Sequence, residues 1–233
     1  MPPSRAAVLK VFSTNAMRAV LPGLAAGFER SSGHALAIEW STTAQTLERI
    51  GNGETADVVI ATDTGVDELA RRDRIVAGSR AGLASTLVGI GVRAAAAKPD
   101  IGSVQAFTHA LLDAKSIAYT TLGQSGLHFE QVIERLGIAA QLKPKFKVIA
   151  GGLVGEIVVG GEAEIGVQMV SEILAVEGFE LVGPFPPELQ QATAFAAAVL
   201  DGSRQADAAR KFVRFLTTPA ATRKMKAHGF EAA

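Results

Sequence analysis

The chain contains no cysteine and only four histidines among its 233 residues. The lack of cysteine excludes disulfides, thiolate metal sites and a cysteine nucleophile. No two histidines have the H-x-x-x-H spacing that would place two imidazoles on one face of a helix. We therefore expect no metal site and no cofactor.

An excess of either charge is also missing, since 23 Lys and Arg residues balance 23 Asp and Glu residues. Nucleic-acid binders usually carry a basic excess, so we expect no nucleic-acid partner. The chain has one Trp and one Tyr, too few for the aromatic platforms on which neutral sugars rest. A protein that binds a neutral polar solute, such as a sugar, is therefore a minor alternative.

Long apolar runs are absent as well. No stretch reaches the roughly 18 apolar residues of a membrane-spanning helix. The first residues, M-P-P-S-R-A-A-V-L-K-V, contain no apolar segment long enough for a signal peptide. The sequence as given predicts a cytoplasmic protein, or a periplasmic one if its leader has been removed or lies elsewhere.

Three familiar motifs do not occur. The P-loop pattern G-x-x-x-x-G-K-[ST] is missing, and no G-x-G-x-x-G follows the first predicted strand. Residues 123–127 read G-Q-S-G-L, which lacks the last glycine of the G-x-S-x-G hydrolase elbow. His128 follows Ser125 too closely on a predicted helix to act as a proton relay. A serine hydrolase is therefore a minor alternative.

Hydrophobic residues make up 48% of the chain. They occur in short continuous runs, which alternate with segments where they recur at helical spacing. Short apolar runs predict strands at 8–13, 35–40, 57–62, 116–120, 146–150, 165–170, 179–182 and 192–200. Helical spacing predicts helices at 16–28, 43–50, 66–72, 104–112, 125–136, 153–159, 206–216 and 221–228. Strands that alternate with helices indicate an α/β fold with a parallel-rich sheet.

The alternation occurs in two runs, at 8–80 and 100–182, which predicts two Rossmann-like lobes. The glycine-interrupted stretch 83–92 and the proline-rich stretch 183–187 are interpreted as crossings between them. Lobe 1 is then 1–83 plus 187–233, and lobe 2 is 84–186. We expect a ligand cleft between the lobes, because small ligands usually bind in such clefts.

Small polar residues and glycines follow several predicted strands. Ligands of open α/β sheets bind at the carboxyl ends of strands, where helix N-termini carry about half a positive charge. The candidate ligand-binding residues are Ser13, Thr14, Asn15, Ser41, Thr42, Thr43, Thr121, Ser125, Gly126, Gly152 and Gln168. Together they predict a site for a small anion that uses neither Lys nor Arg. The alternative is that each turn is an ordinary helix cap, since Ser, Thr and Asn are preferred there.

Several of these segments resemble a known family. Four segments are similar to segments of the type II solute-binding protein fold and its molybdate-binding family. They are V-F-S-T-N-A-M, W-S-T-T-A-Q-T-L, A-D-V-V-I-A-T-D and the G-E-A-E-I-G-V segment at 161–167. G-Q-S-G with His128, and V-Q-M-V-S-E at 167–172, resemble a divergent branch of that fold. This branch includes organic-acid binders and an aconitate isomerase.

The resemblance implies a monomeric binding protein of an ABC transporter. Its lobes would close about a hinge on an oxyanion or a polycarboxylate, and its partner would be an ABC permease. The alternative that it implies is an isomerase of a small polycarboxylate such as aconitate. Proton abstraction next to a carboxylate needs a base, and His128 and Glu156 are the candidates.

Overall fold

The computed structural model describes residues 7–232, apart from the side chain of Ala232. The strands are β1 (Val8–Thr14), β2 (Ala35–Ser41), β3 (Val58–Thr62), β4 (Ala81–Thr86), β5 (Val88–Arg93), β6 (Ile117–Thr120), β7 (Phe146–Ile149), β8 (Ile165–Met169), β9 (Phe179–Pro184), β10 (Thr193–Val199) and β11 (Glu231–Ala232). The α-helices are α1 (Leu21–Ser32), α2 (Thr43–Gly51), α3 (Asp63–Arg71), α4 (Val104–Asp113), α5 (Gln124–Arg135), α6 (Ala139–Leu142), α7 (Val154–Val159), α8 (Val170–Ile173), α9 (Ala206–Leu216) and α10 (Pro219–Lys226).

The chain forms two compact units. Unit 1 comprises Met1–Ser85 with Ala194–Ala233, and unit 2 comprises Thr86–Thr193. The expected α/β class with two lobes is confirmed. The sheets, predicted to be parallel-rich, are mixed, because parallel and antiparallel pairings occur in both units. The stretch considered for a leader begins at residue 1, and its first six residues lie outside the described part. Among the described residues, no helix has both the length and the apolar character to cross a bilayer.

Unit 1 contains a six-stranded sheet in the order β11-β4-β10-β3-β1-β2. Strands β2, β1 and β3 are parallel, and β10 runs antiparallel to β3. Successive residues of a strand face opposite sides, so β1 contributes to two cores. Leu9 and Val11 pack with Phe28 of α1 on one face, and Phe12 packs with Leu69 of α3 on the other.

Unit 2 contains a five-stranded sheet in the order β7-β6-β8-β5-β9. Strand β6 runs parallel to both β7 and β8, and β5 runs antiparallel to β8 and β9. Its cores also cover both faces. Ile117 packs with Phe107 of α4 and Phe129 of α5, and the next residue, Ala118, packs with Val158 of α7.

The first helix begins later than the pattern predicts. The periodicity indicates a helix over 16–28, but only a short 3-10 turn forms at Asn15–Met17, and α1 starts at Leu21. Pro22 explains the difference. Proline lacks a backbone N–H and clashes with the preceding helical turn, so a helix accepts it in its first turn but not in its interior.

The passages between the units also differ from the expected positions. The stretch 83–92 forms two strands, β4 and β5, which belong to different sheets and are separated by Leu87. The proline-rich stretch lies within unit 2, where Phe185 and Leu189 are buried in the core. The Gln190 amide then accepts a hydrogen bond from Val88 N (3.1 Å) and donates one to Val88 O (2.8 Å). The chain therefore returns to unit 1 only after Thr193.

Candidate functional site

The first two predicted turns are neighbours in unit 1. In the parallel pairing of β1 with β2, Ser13 lies beside Trp40 and Thr14 beside Ser41. Adjacent strands lie about 4.8 Å apart, so both turns open at the same edge of the sheet. Ser13, Thr14, Ser41 and Thr42 are each at least nine-tenths buried. The sheet therefore brings these hydroxyls together, as the topological argument predicts.

The start of α2 leaves hydroxyl protons free. Thr42 Oγ1 accepts a hydrogen bond from Gln45 N (3.2 Å), and Gln45 Oε1 accepts one from Thr42 N (2.9 Å). Thr43 Oγ1 accepts from Thr62 N (3.1 Å). A hydroxyl has one proton and two lone pairs, so Thr42 and Thr43 use their oxygens within the fold and keep their protons for another acceptor. Thr42 is thus the N-cap of α2 and Thr43 binds the end of β3, and the proton of each hydroxyl has no acceptor among the described residues.

The other polar residues at this edge are more strongly engaged with the protein. Ser41 Oγ and Thr46 Oγ1 are 2.7 Å apart, so one hydroxyl donates to the other. Ser13 Oγ donates to Thr14 O over 3.3 Å, a long bond that a better acceptor can replace. Asn15 Oδ1 accepts from Arg18 Nε (3.1 Å). The amide hydrogens of Asn15 have no acceptor among the described residues.

In unit 2, glycines bring the start of α5 against the end of β6. A Cβ at residue 126 would overlap the carbonyl oxygen of Thr120, and one at residue 123 would overlap the Thr120 hydroxyl. Gly126 was expected to offer its backbone N–H to a ligand, but this N–H donates to Gly123 O (3.1 Å). Its contribution is the close approach of helix and strand.

Free donors remain in the same turn. The Ser125 side chain is 1% exposed and makes no hydrogen bond to any described residue. Thr121 donates its N–H to Ile149 O (3.0 Å), which leaves its half-buried hydroxyl for other partners. The first N–H groups of α5 point away from the helix, and those of Gln124 and Ser125 meet no acceptor within residues 7–232. The turn is therefore rich in donors and contains no charged side chain.

Gln168 shapes the neighbouring turn. This fully buried side chain accepts a hydrogen bond from Val154 N (3.0 Å) and donates one to Gly152 O (2.9 Å). We expected its amide to contact the ligand, but both ends of the amide contact the backbone. Gly152 has φ +104°, a conformation that favours glycine. Gln168 thus acts as a clamp that positions the N–H groups of the turn.

The two candidate bases differ in their environments. His128 Nε2 lies 2.8 Å from Leu189 O and must carry the proton, because a carbonyl only accepts. His128 Nδ1 is buried and has no partner among the described residues. The imidazole thus anchors α5 to the 187–189 segment. Glu156, by contrast, is exposed in the first turn of α7.

Tyr119 packs against the unit 2 turn, where its ring lies beside Gly126. Its side chain is 4% exposed, and its hydroxyl donates to Glu130 Oε1 (2.9 Å). Burial, followed by the hydrogen bond to Glu130, raises the pKa of Tyr119 to about 12. The Tyr119 hydroxyl therefore stays protonated near neutral pH. Within residues 7–232, no group of three or more His, Asp or Glu side chains could hold a metal ion.

The sequence argument missed Arg18. It lies just after the 3-10 turn, and its guanidinium carbon is 5.2 Å from the centre of the Trp40 ring. The only signal in the sequence was an arginine three positions after Asn15 in S-T-N-A-M-R. The stack on Trp40 depends on the register of β1 and β2, which composition and spacing do not reveal.

Comparisons with known proteins agree with the α/β fold of two units. Residues 9–231 match the family model described as bacterial extracellular solute-binding protein. The chain is 29% identical to an aconitate isomerase from a Pseudomonas species, over 96% of this chain and 87% of the relative. It is 26% identical to the molybdate-binding protein ModA of Azotobacter vinelandii, over 97% of this chain and 91% of the relative. The solved periplasmic molybdate-binding protein of Azotobacter vinelandii superposes with a TM-score of 0.82 at 22% identity, over 97% of this chain and 99% of that one.

Proposed function

The chain belongs to the family of bacterial extracellular solute-binding proteins, and from that premise we propose that it binds a small anion. The ligand is an oxyanion or a polycarboxylate. The donors that can bind it are the hydroxyls of the β2–α2 turn in unit 1 and the free N–H groups of the β6–α5 turn in unit 2. In this proposal the protein is the monomeric binding component of an ABC transporter, and its protein partner is the permease.

One observation carries the proposal: the two turns offer hydrogen-bond donors. The threonine hydroxyl oxygens of the β2–α2 turn already accept hydrogen bonds from the protein, and the free N–H groups of the β6–α5 turn cannot accept any. The oxygens of Thr42 and Thr43 already accept backbone N–H groups. The N–H groups of Gln124 and Ser125 have no acceptor within the described residues. A neutral sugar needs acceptors as well as donors, whereas an anion needs only donors. The orientation of helices α2 and α5 adds a favourable partial charge.

A thermal-unfolding screen with two sets of anions tests the proposal. One set is molybdate, tungstate, sulfate and phosphate, and the other is citrate with cis- and trans-aconitate. A ligand present at 100 times its Kd raises the free energy of unfolding by about 2.7 kcal/mol. We expect at least one set to raise the melting temperature and neutral sugars at equal concentration to leave it unchanged. Stabilisation by sugars alone, or by nothing, would contradict the proposal.

A second candidate function is isomerisation of a small polycarboxylate. The observation that favours it is the 29% identity to an aconitate isomerase along nearly the whole chain. Such a reaction removes a proton from a carbon next to a carboxylate or its conjugated double bond and returns a proton to another carbon, so it needs no oxidant and no cofactor. Glu156 is the better base, since its carboxylate is exposed and the His128 ring is held by Leu189 O.

Proton NMR of the purified protein with cis- or trans-aconitate in D2O tests this candidate. Interconversion with uptake of deuterium is the expected result for an isomerase. Glu156→Gln should then abolish turnover and retain binding, and His128→Gln should retain turnover if the protein stays folded. Binding of aconitate without any conversion would retire the isomerase and leave the binding protein.

A further inference from the structure

Arg18 of unit 1 is held in place but lacks a carboxylate partner. Its Nε donates to Asn15 Oδ1 (3.1 Å), and its guanidinium lies over the ring of Trp40. Within residues 7–232, no Asp or Glu oxygen lies within ion-pair distance of Arg18, and its two terminal nitrogens have no acceptor. Arg49 and Arg80, by contrast, each pair with two carboxylates.

The two contacts fix the orientation of the guanidinium plane. The aromatic face below it and the hydrogen bond at Nε leave the edge that carries both terminal nitrogens. This edge matches the two oxygens of a carboxylate, which it binds through two parallel N–H···O bonds. An arginine that is already oriented loses less conformational freedom on binding than a mobile surface arginine. Arg18 is only half-buried, so a ligand can reach it.

The position of Arg18 links it to the donor turns. Asn15 directly follows Thr14, and Thr14 lies beside Ser41 in the strand register. Trp40, on which the guanidinium rests, lies beside Ser13. Arg18 therefore stands at the carboxyl edge of the unit 1 sheet, next to hydroxyls that can donate to an anion. This edge of the sheet therefore has neutral hydrogen-bond donors and, beside them, the positively charged guanidinium of Arg18.

We propose that Arg18 is the specificity-determining residue of this site, and that it selects organic di- and tricarboxylates over compact tetrahedral oxyanions. This inference rests on the anion-binding function proposed above. The neutral donors hold one anionic group, and Arg18 holds a second carboxylate on the same molecule. A tetrahedral oxyanion has no second anionic group, so the guanidinium of Arg18 contributes little to its affinity.

Isothermal titration of four proteins tests the inference: the wild type, Arg18→Gln, Arg18→Lys and the control Arg30→Gln. Arg30 is exposed on α1 and has no carboxylate within ion-pair distance among the described residues. Arg30→Gln makes the same change in net charge as Arg18→Gln, so it is a matched control. The probes are citrate, trans-aconitate, molybdate and sulfate. We expect Arg18→Gln to weaken citrate or trans-aconitate by about 10- to 100-fold, the loss typical of hydrogen bonds to a charged group.

Further results of the same titration are expected. Arg18→Lys keeps the charge but not the fork, so it should recover only part of the lost affinity. Any oxyanion that binds should change in affinity by less than about threefold in Arg18→Gln, because the neutral donors hold its one anionic group and no second group reaches the guanidinium. Arg30→Gln should bind every probe as the wild type does.

Tryptophan fluorescence supplies a second readout, because Trp40 is the only tryptophan in the chain. The spectrum of unliganded Arg18→Gln should differ from that of the wild type, since the cation over the ring is gone. Citrate or trans-aconitate should change the wild-type emission and leave that of Arg18→Gln nearly unchanged. Thermal unfolding of each variant without ligand establishes that it is folded, and Arg18→Lys serves if Arg18→Gln is not.

The outcomes separate this inference from the proposed function. If the wild type binds no anion, both fail. If it binds only oxyanions, the anion-binding function stands and the role of Arg18 is overturned. Equal polycarboxylate affinity in the wild type and Arg18→Gln overturns it too, as does an equal loss for both probe classes. A loss confined to the polycarboxylates, with Arg30→Gln unchanged, supports it.

Discussion

The donor turns of the two units are built by different means. In unit 1 the turn after β2 is held by side chains: Thr42 and Gln45 hydrogen bond to backbone groups at the start of α2, and Thr43 accepts from the backbone N–H of Thr62 at the end of β3. In unit 2 the turn after β6 is held by steric fit, because Gly123 and Gly126 let α5 start against Thr120. The neighbouring turn is held by the buried amide of Gln168.

This difference indicates which substitutions separate binding from folding. A residue that caps its helix and also donates to a ligand loses both functions when it is truncated. A glycine that only allows close approach affects the ligand through the fold. A side chain such as Ser125, which has no partner among the described residues, can be removed with little effect on the fold. The following four predictions are ordered by their expected effect on stability.

Gly126→Ala should have the largest effect. Its Cβ would overlap the backbone oxygen of Thr120, and backbone cannot rotate away as a side chain can. We expect a loss of about 3 kcal/mol or more, at the upper end of the cost of overpacking. Denaturant unfolding measures it. The control is Gly51→Ala, where a Cβ meets nothing within 4 Å; equal stability of the two variants would refute the steric account.

Gln168→Leu should have the next largest effect, since it leaves the buried N–H of Val154 and the partly buried C=O of Gly152 without partners. We expect a loss of about 2–4 kcal/mol and at least a tenfold fall in anion affinity as the turn relaxes. Gln190→Leu is the matched control, because Gln190 clamps the backbone of Val88 in the same way. It should lower stability and leave affinity unchanged. Unaltered affinity in Gln168→Leu would remove this clamp from the binding site.

Thr42→Ala should cost about 1 kcal/mol of stability, the usual value of a helix N-cap. Because the same hydroxyl keeps a proton for the ligand, anion affinity should also fall by about tenfold. Thr218→Ala removes the N-cap of α10, where Thr218 Oγ1 accepts from Ala221 N (3.3 Å) and also donates to Phe215 O (2.8 Å). Denaturant unfolding and calorimetry should show a loss of stability in both variants, at least as large in Thr218→Ala, and a loss of affinity in Thr42→Ala alone.

Ser125→Ala should change stability by less than about 0.5 kcal/mol, because no hydrogen bond within the described residues is lost. Anion affinity should nevertheless fall by about tenfold. Ser103→Ala should behave in the opposite way, since Ser103 Oγ caps α4 by accepting from Ala106 N (3.1 Å). A stability loss in Ser125→Ala as large as that in Ser103→Ala would show that the Ser125 hydroxyl belongs to the fold.

Much of the fold could be predicted from apolar patterning. A buried strand of a parallel sheet is a short, nearly continuous apolar run, so the expected strand at 8–13 differs from β1 by one residue. The polar turns at the carboxyl edge followed from the order of the elements. The break at Leu87 did not, because a run that leaves one sheet and enters another looks like a single glycine-interrupted strand.

The details of the candidate site were less predictable, because they depend on partners distant in sequence. The sequence shows that residue 126 is a glycine, but it does not show that this glycine packs against the backbone oxygen of Thr120. Gln168 lies within an apolar strand, and nothing near it in the sequence indicates that its amide will reach Gly152 and Val154. The orientation of Arg18 needs Trp40, which the register of two strands supplies.

The position of β10 has a consequence for the order in which the protein matures. This strand lies between β4 and β3 in the sheet of unit 1, but the ribosome makes it only after all of unit 2. Unit 2 is one continuous segment, Thr86–Thr193, and it is complete while unit 1 still lacks a central strand. The nascent chain therefore has to keep the exposed edges of β3 and β4 from pairing with other chains, and arrival of residues 194–199 closes that gap.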